Sequence, residues 1–172
     1  ANSGFFDSIK IAAEPGSIVW AREPAPCSDR ETTTQRIADV IFGDYNPAGR
    51  TTQTWVRDIL ELPNMLDYDI RNGRTYMYYD GEPLYPFGHG LSYTSFEYSD
   101  LKVRRSGGNV RVSFKLSNTG ERDGEEVVQI YVKCPGDDAS MRLRGFDRIA
   151  VAKGETVKVE IDVPYEDLKL WN

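Results

Sequence analysis

The sequence predicts a mainly β protein: a β-sandwich in the C-terminal half, preceded by a short helix-bearing α/β segment and an irregular aromatic connector. Two observations carry this. Val110, Val112, Phe114 and Leu116 alternate with Arg111, Ser113, Lys115 and Ser117, and the alternation returns at Val128, Ile130 and Val132 and at Val157, Val159, Ile161 and Val163. Period two is the signature of strands with one buried face, and short strands between regular turns argue for a sandwich. The second observation is the string at residues 73–93, G-R-T-Y-M-Y-Y-D-G-E-P-L-Y-P-F-G-H-G-L-S-Y. Its rings bury large areas and seek partners for their hydroxyls, while Pro and Gly keep the run irregular. Disordered linkers are poor in aromatics, so this one is predicted to be ordered and packed.

In chain order, Ile18, Val19 and Trp20 suggest a short buried strand fenced by Pro15, Pro24 and Pro26. Ser28, Asp29, Arg30 and Glu31 fit a capping box, Ile37, Val40 and Ile41 follow at helical spacing, and Gly43 supplies a stop. A helix is therefore expected over residues 29–42. Asn46, Pro47 and Gly49 make a turn, and residues 51–56 form a short strand. Further strands are expected over residues 96–103 and 143–151. That gives about five strands where an immunoglobulin-like sandwich has about seven, so the chain reads as truncated at both ends. The expected division is residues 1–57, 58–94 and 95–172, with residues 1–36 the least patterned part.

Three strings in this order resemble the multidomain glycoside hydrolases of family 3. Residues 37–50, I-A-D-V-I-F-G-D-Y-N-P-A-G-R, resemble the last helix and turn of that family's α/β sandwich domain. Residues 66–93 resemble the linker that follows, and the form L-D-Y-D-I-R-N-G-R-T-Y is nearer the β-xylosidase branch than the β-glucosidases. Residues 115–134, with L-R-G-F at 143–146 and residues 151–155, resemble the fibronectin-III-like domain. Relatives usually carry Leu-Pro after the Gly-Arg, where this chain has Thr51 and Thr52, which implies a local change of packing. The resemblance implies a fibronectin-III/immunoglobulin-like β-sandwich behind a remnant of the α/β domain. It also implies a parent enzyme that hydrolyses β-xylosides or β-glucosides by a retaining mechanism with two carboxylates. In the family both carboxylates lie upstream, so no catalytic residue is carried over, and no substrate-binding residue can be assigned.

Composition sets further limits. The 172 residues carry a net charge of −6, which argues against a nucleic-acid partner. No apolar run approaches the length of a membrane span. One histidine and two cysteines, Cys27 and Cys134, offer no metal-ligand spacing, and no cofactor is expected. The cysteines read as free thiols, with a disulfide as the alternative if the parent enzyme is exported. Localisation is open, the family resemblance being compatible with a secreted or periplasmic enzyme. Arg104 and Arg105, and Arg142, Arg144 and Arg148, read as solvated sheet surface.

Asp67 and Asp69 flank Tyr68 and would share a face of an extended segment, and Asp123, Glu125 and Glu126 crowd a turn. A catalytic carboxylate needs a dry pocket and a shifted pKa, which nothing here marks. His89 stands between glycines with no Ser or Cys motif, so it reads as a hydrogen-bonded anchor. Arg74 and Tyr76 read as a guanidinium among rings bonded to carbonyls. Trp20, Trp55 and Trp171 are too scattered for a sugar groove. The leading reading is a non-catalytic, architectural portion of a glycosidase, with the rest of that enzyme as partner and an oligo- or disaccharide as the whole enzyme's substrate. The alternatives are a carbohydrate-binding module with the connector as groove, or an immunoglobulin-like interaction domain. Open sheet edges would favour self-association.

Overall fold

The computed structural model describes residues 9–12, 18–21 and 30–169. It divides into two compact units, Ala1–Pro47 and Ala48–Asn172. In the first, β1 (Ile9–Ala12) and β2 (Ile18–Ala21) pair antiparallel, from Ile9 opposite Ala21 to Ala12 opposite Ile18. The strand at Ile18 was expected and its partner β1 was not. Helix α1 (Arg30–Phe42) fills the predicted span. Gly43 ends it at φ 83°, and the Tyr45 amide reaches back to the Asp39 carbonyl at 3.0 Å. Ser28 of the expected capping box and Cys27 lie outside the described residues.

The second unit runs from Ala48 through the connector and continues as five strands: β3 (Phe96–Ser106), β4 (Asn109–Asn118), β5 (Gly124–Val132), β6 (Arg142–Val151) and β7 (Thr156–Pro164). They form an antiparallel sheet in the order β3-β4-β7 and a β5-β6 hairpin. The alternation read from the sequence becomes the core. Val112, Phe114, Leu116, Val128, Val151 and Val159 are buried in one cluster, with Val110, Ile130, Val157 and Ile161 packed against it. Two irregularities shape the strands. Between Ser99 and Lys102 the β3–β4 register shifts, with Asp100 at φ 55° and paired to Lys115 at 2.6 Å. Between Ile130 and Tyr131 the β5–β6 register shifts, leaving Arg144 as the extra residue of a bulge.

Asn118, at the end of β4, is the buried polar residue of this core, 2% exposed. Its amide group donates to the carbonyls of Arg122 at 2.7 Å and Val151 at 3.0 Å. Its side-chain oxygen accepts from the Thr94 hydroxyl at 2.6 Å and the Gly120 amide at 3.1 Å. All four hydrogen-bonding positions of the side chain are filled, which is what makes its burial tolerable. One residue thus ties the end of the connector, the β4–β5 turn and the end of β6 together.

Candidate functional site: the connector on the sandwich

The connector's residues 82–89 lie beside residues 51–57, which precede it. Thr51 exchanges backbone bonds with Gly88 and His89, and its hydroxyl donates to Pro86 O at 2.7 Å. Trp55 bridges to Tyr85 in antiparallel fashion, and Arg57 Nε reaches Glu82 O at 3.2 Å. The expected short strand at 51–56 is thus a ladder against 82–89, interrupted by prolines that cannot donate. His89 anchors this ladder through its backbone, with its ring tilted against Tyr85 at 5.3 Å. The hydrogen bonds of this expected anchor are made by its backbone.

The second half of the connector lies on the face of β5 opposite the core. Val128 and Ile130 point inward, while the alternating Gln129 and Tyr131 point at the connector. Gln129 Nε2 donates to Gly88 O at 3.2 Å, and the Tyr131 hydroxyl donates to Gln129 Oε1 at 2.6 Å. Gly88 sits at φ 79°, and a Cβ there would run into both the Gln129 and Tyr131 side chains. Only glycine meets both demands. Tyr76 stacks on Phe87 with centroids 4.4 Å apart and meets Tyr131 edge-on at 5.9 Å. Its hydroxyl accepts from the Leu143 amide at 2.9 Å.

The single turn of helix α2 (Thr75–Tyr78) docks on the β5–β6 loop. Ser140 donates its amide to Met77 O at 2.8 Å and its hydroxyl to Tyr76 O at 3.3 Å, satisfying carbonyls that the short helix leaves open. Arg142 makes a fork onto Asp137, at 2.6 and 2.9 Å, and its remaining reach goes to the Tyr78 hydroxyl at 3.2 Å. This fork holds the Asp137 carboxyl at about 2, well below its ordinary value. Arg142 was read as solvated sheet surface; the bulge and the Asp137 turn make it a clamp instead. Arg148 pairs with Glu125, and Arg105 lies 5.7 Å from the centre of the Tyr165 ring. Ahead of the connector Arg50, from the N-P-A-G-R string, pairs with Glu126, which also accepts from the Tyr98 hydroxyl at 2.8 Å. Burial and that bond push the Tyr98 phenol up.

The carboxylates weighed in the sequence are committed to structure. Asp67 accepts the Asp69 amide at 3.0 Å and the Asn72 side chain at 2.8 Å. Asp69 accepts the Arg71 amide at 3.0 Å and its guanidinium at 2.9 and 2.7 Å. These are consecutive side-chain-capped turns, not an extended segment with both groups on one face. Asn72 chiefly holds the Asp67 carboxyl low, and Arg71 holds Asp69 at about 2. A general acid needs the opposite shift. Asp123 accepts the Lys153 amide at 2.7 Å, so it, Glu125 and Glu126 each serve a different partner. Arg74 donates to Asn64 O at 2.7 Å, as a carbonyl-bonded guanidinium should. Cys134 is a free thiol whose Sγ lies 3.7 Å from Leu168 O.

The connector rings were expected to be buried. Tyr76, Tyr78, Tyr79, Tyr85 and Phe87 are half-buried and Tyr93 is 46% exposed, because the connector covers one side of a sheet and is itself covered on one side only. Sequence reasoning missed Gln129, Tyr131 and Ser140. The first two were visible as the polar and aromatic members of the β5 alternation, on the face the core does not use.

The second unit is an antiparallel β-sandwich with an aromatic connector clamped to its outer face. Residues 17–93 match the Glycosyl hydrolase family 3 C-terminal domain and residues 126–172 the Fibronectin type III-like domain, and the chain belongs to glycosyl hydrolase family 3. The first match reaches into residues 1–36, which the resemblance had left aside. The chain is 39% identical over 140 residues to a xylan 1,4-beta-xylosidase of Xylanibacter ruminicola, covering 79% of this chain and 16% of that protein. It is 38% identical over 183 residues to a beta-xylosidase of Formosa agariphila, covering 95% and 25%. Beta-glucosidase 3B from Thermotoga neapolitana superposes with a TM-score of 0.74 at 37% identity, covering 83% of this chain and 23% of that one. The chain thus spans a quarter or less of the length of these relatives.

Proposed function

We propose that the chain serves as the non-catalytic C-terminal portion of a retaining, exo-acting β-glycosidase that cleaves β-xylosides or β-glucosides in carbohydrate breakdown. Its role is architectural. Residues 58–94 are an ordered connector that fixes the fibronectin-III-like sandwich, residues 95–172, to the end of the α/β domain, residues 1–57. The remaining domains of the enzyme are its partners, and an oligo- or disaccharide is the substrate of the whole. The observation that carries this reading is where the family's own string is used. Tyr76, Phe87 and Gly88 are engaged by Tyr131, Leu143 and Gln129 rather than arranged around an open groove. No catalytic carboxylate, substrate-binding residue or metal site is assigned to the chain. The open edges of β3 and β7 are sites where copies of the isolated chain can pair.

Purified chain is expected to release no nitrophenol from nitrophenyl β-xyloside or β-glucoside. Turnover that vanished in Asp67→Asn or Asp69→Asn, with the fold intact, would overturn the architectural reading.

A further inference from the structure

The bulge in β6 aims one guanidinium at a cleft and leaves it without a partner. Ile130 pairs with Gly145 and Tyr131 with Leu143, so Arg144 has no residue opposite it. Bulges re-aim side chains in this way. Arg144 lines a cleft of about 650 Å³, bounded by Arg71 and Tyr78 of the connector, by the β5–β6 loop and by the single turn Tyr165–Leu168. Small-molecule sites have volumes of about 300–1,000 Å³. The other cations of the cleft are spent. Arg142 is forked onto Asp137 and Arg71 onto Asp69, and Lys169 reaches both oxygens of Glu166 at 2.8 Å. Asp137 feels the Arg144 charge, but its oxygens are taken by Arg142 and the Ala139 amide. Arg144 has no such partner among the described residues, and its Nε is withdrawn from water with no acceptor. A buried donor without an acceptor costs stability, so the fold carries this group at a loss. Asp138 and Asp167, exposed on the cleft wall, are carboxylates that no side chain or amide of the described residues takes up.

We propose that this cleft binds a hydroxylated monocarboxylate, the chemistry of a uronic acid sugar, with Arg144 taking the carboxylate. The side-on edge of a guanidinium, Nε with one Nη, matches the two oxygens of a carboxylate. The Nε of that edge is the unpaired atom here. Ionised carboxylates only accept, so Asp138 and Asp167 take the protons of the ligand's hydroxyls. Their charges also repel a multiply charged anion such as phosphate. Tyr78, its hydroxyl held by Arg142 at 3.2 Å, supplies a fixed ring at the cleft wall. The assignment goes beyond the architectural role and depends on neither the parent reaction nor its substrate.

Glucuronate, glucose and inorganic phosphate are titrated into the 172-residue chain and followed by NMR and calorimetry. Glucuronate is expected to bind with a Kd below about 10 mM. Glucose, which lacks the carboxylate, and phosphate should bind at least about tenfold more weakly. Glucose or phosphate binding as tightly as glucuronate overturns the proposal, and this comparison needs no variant. Arg144→Gln should weaken glucuronate binding by about tenfold or more, and Arg144→Lys nearly as much, because an ammonium has no fork. Arg104→Gln, on β3, should leave it unchanged. The urea midpoint of Arg144→Gln should equal or exceed that of the unchanged chain, since an unpaired donor is removed. A lower midpoint with unchanged glucuronate affinity would make Arg144 a structural residue and overturn the proposal. The exposed pair Asp138 and Asp167 supplies the last arm. Changing both to Ala should weaken glucuronate binding by about threefold or more, through the lost hydroxyl acceptors. A bare anion site would instead bind it more tightly, and that result would also overturn the assignment.

Discussion

The sandwich core and the connector are held by different physics. The core is apolar and closed: Leu116 and Val128 have no exposed surface, and Asn118 is admitted only with every hydrogen bond made. The connector has no closed core. Its rings are half-buried, and Arg142, Arg50, Ser140 and Gln129 fasten it by directional contacts to the outer face and rim of a sheet. Apolar burial tolerates small shifts but not lost volume. Directional clamps tolerate lost volume but not a lost partner. A clamp requires particular groups where a core requires only shape.

The largest test of the contrast is a pair of truncations. Leu116→Ala removes a fully buried side chain and is expected to cost about 3–5 kcal/mol, as such core cavities do. Phe87→Ala removes a larger side chain, yet a half-buried one that keeps part of its hydration. It should cost only about 1.5–2.5 kcal/mol, comprising partial transfer and the loss of the Tyr76 stack. Urea denaturation of both variants decides it. A Phe87→Ala cost equal to that of Leu116→Ala would make the connector part of the core. A cost below about 0.5 kcal/mol, the range of surface sites, would mean that the ring contributes nothing to the fold.

The next test changes hydrogen bonding without changing volume. Asn118→Asp keeps the shape but turns two donors into acceptors facing the carbonyls of Arg122 and Val151. A buried group left without partners costs roughly 1–3 kcal/mol, and here a charge is added. We expect a loss of at least about 2 kcal/mol in chemical denaturation at neutral pH on that basis. Recovery toward wild type is expected as the new carboxyl is protonated in acid, since the protonated form can donate once again. A variant as stable as wild type would show that the site is wetter than its burial indicates.

The sandwich was legible because its signal is local and repeated. Val110 to Leu116 and Val157 to Val163 announce strands residue by residue, and pairing them, as the register from Val110 opposite Val163 to Leu116 opposite Val157 does, requires only that both apolar faces be buried. The connector was legible as ordered and not as arranged. Nothing local links Tyr76 to Leu143 or Gly88 to Gln129, partners 67 and 41 residues apart. Nothing local marks Asn118, whose importance comes from Thr94 and Val151, on either side of it in sequence and far from it. Arg142 was misread for a similar reason. An Arg-x-Arg alternation does mean a strand face, but a single-residue bulge at Arg144 changes how that face is used. Asp67 and Asp69 were misplaced on an extended segment because the spacing i, i+2 also suits successive turns, in which each carboxylate caps the amide two residues on.

The smallest expected effect, and the most selective one, is electrostatic. In the folded chain the Arg142 fork and the Ala139 amide hold Asp137 ionised down to about pH 2, from an ordinary value of 3.8. A carboxyl whose folded pKa is depressed contributes stability that is fully present above its unfolded pKa and is lost as pH falls through the folded value. The contribution of this clamp should therefore fade between about pH 4 and pH 2. The Arg71–Asp69 pair should fade in the same window, since that carboxyl is also held at about 2. Asp137→Asn removes one of these two contributions. Its urea midpoint should lie below that of wild type at pH 7, and the two should converge as pH falls to 2. Parallel curves with a constant gap would mean that the fork acts through shape and hydrogen bonds alone. A gap that widened in acid would reverse the sign of the argument and assign the acid sensitivity of the fold elsewhere. Because Arg142 holds Tyr78 as well as Asp137, the convergence should be accompanied by a loss of near-ultraviolet tyrosine signal from the connector, while the far-ultraviolet signal of the sandwich strands persists.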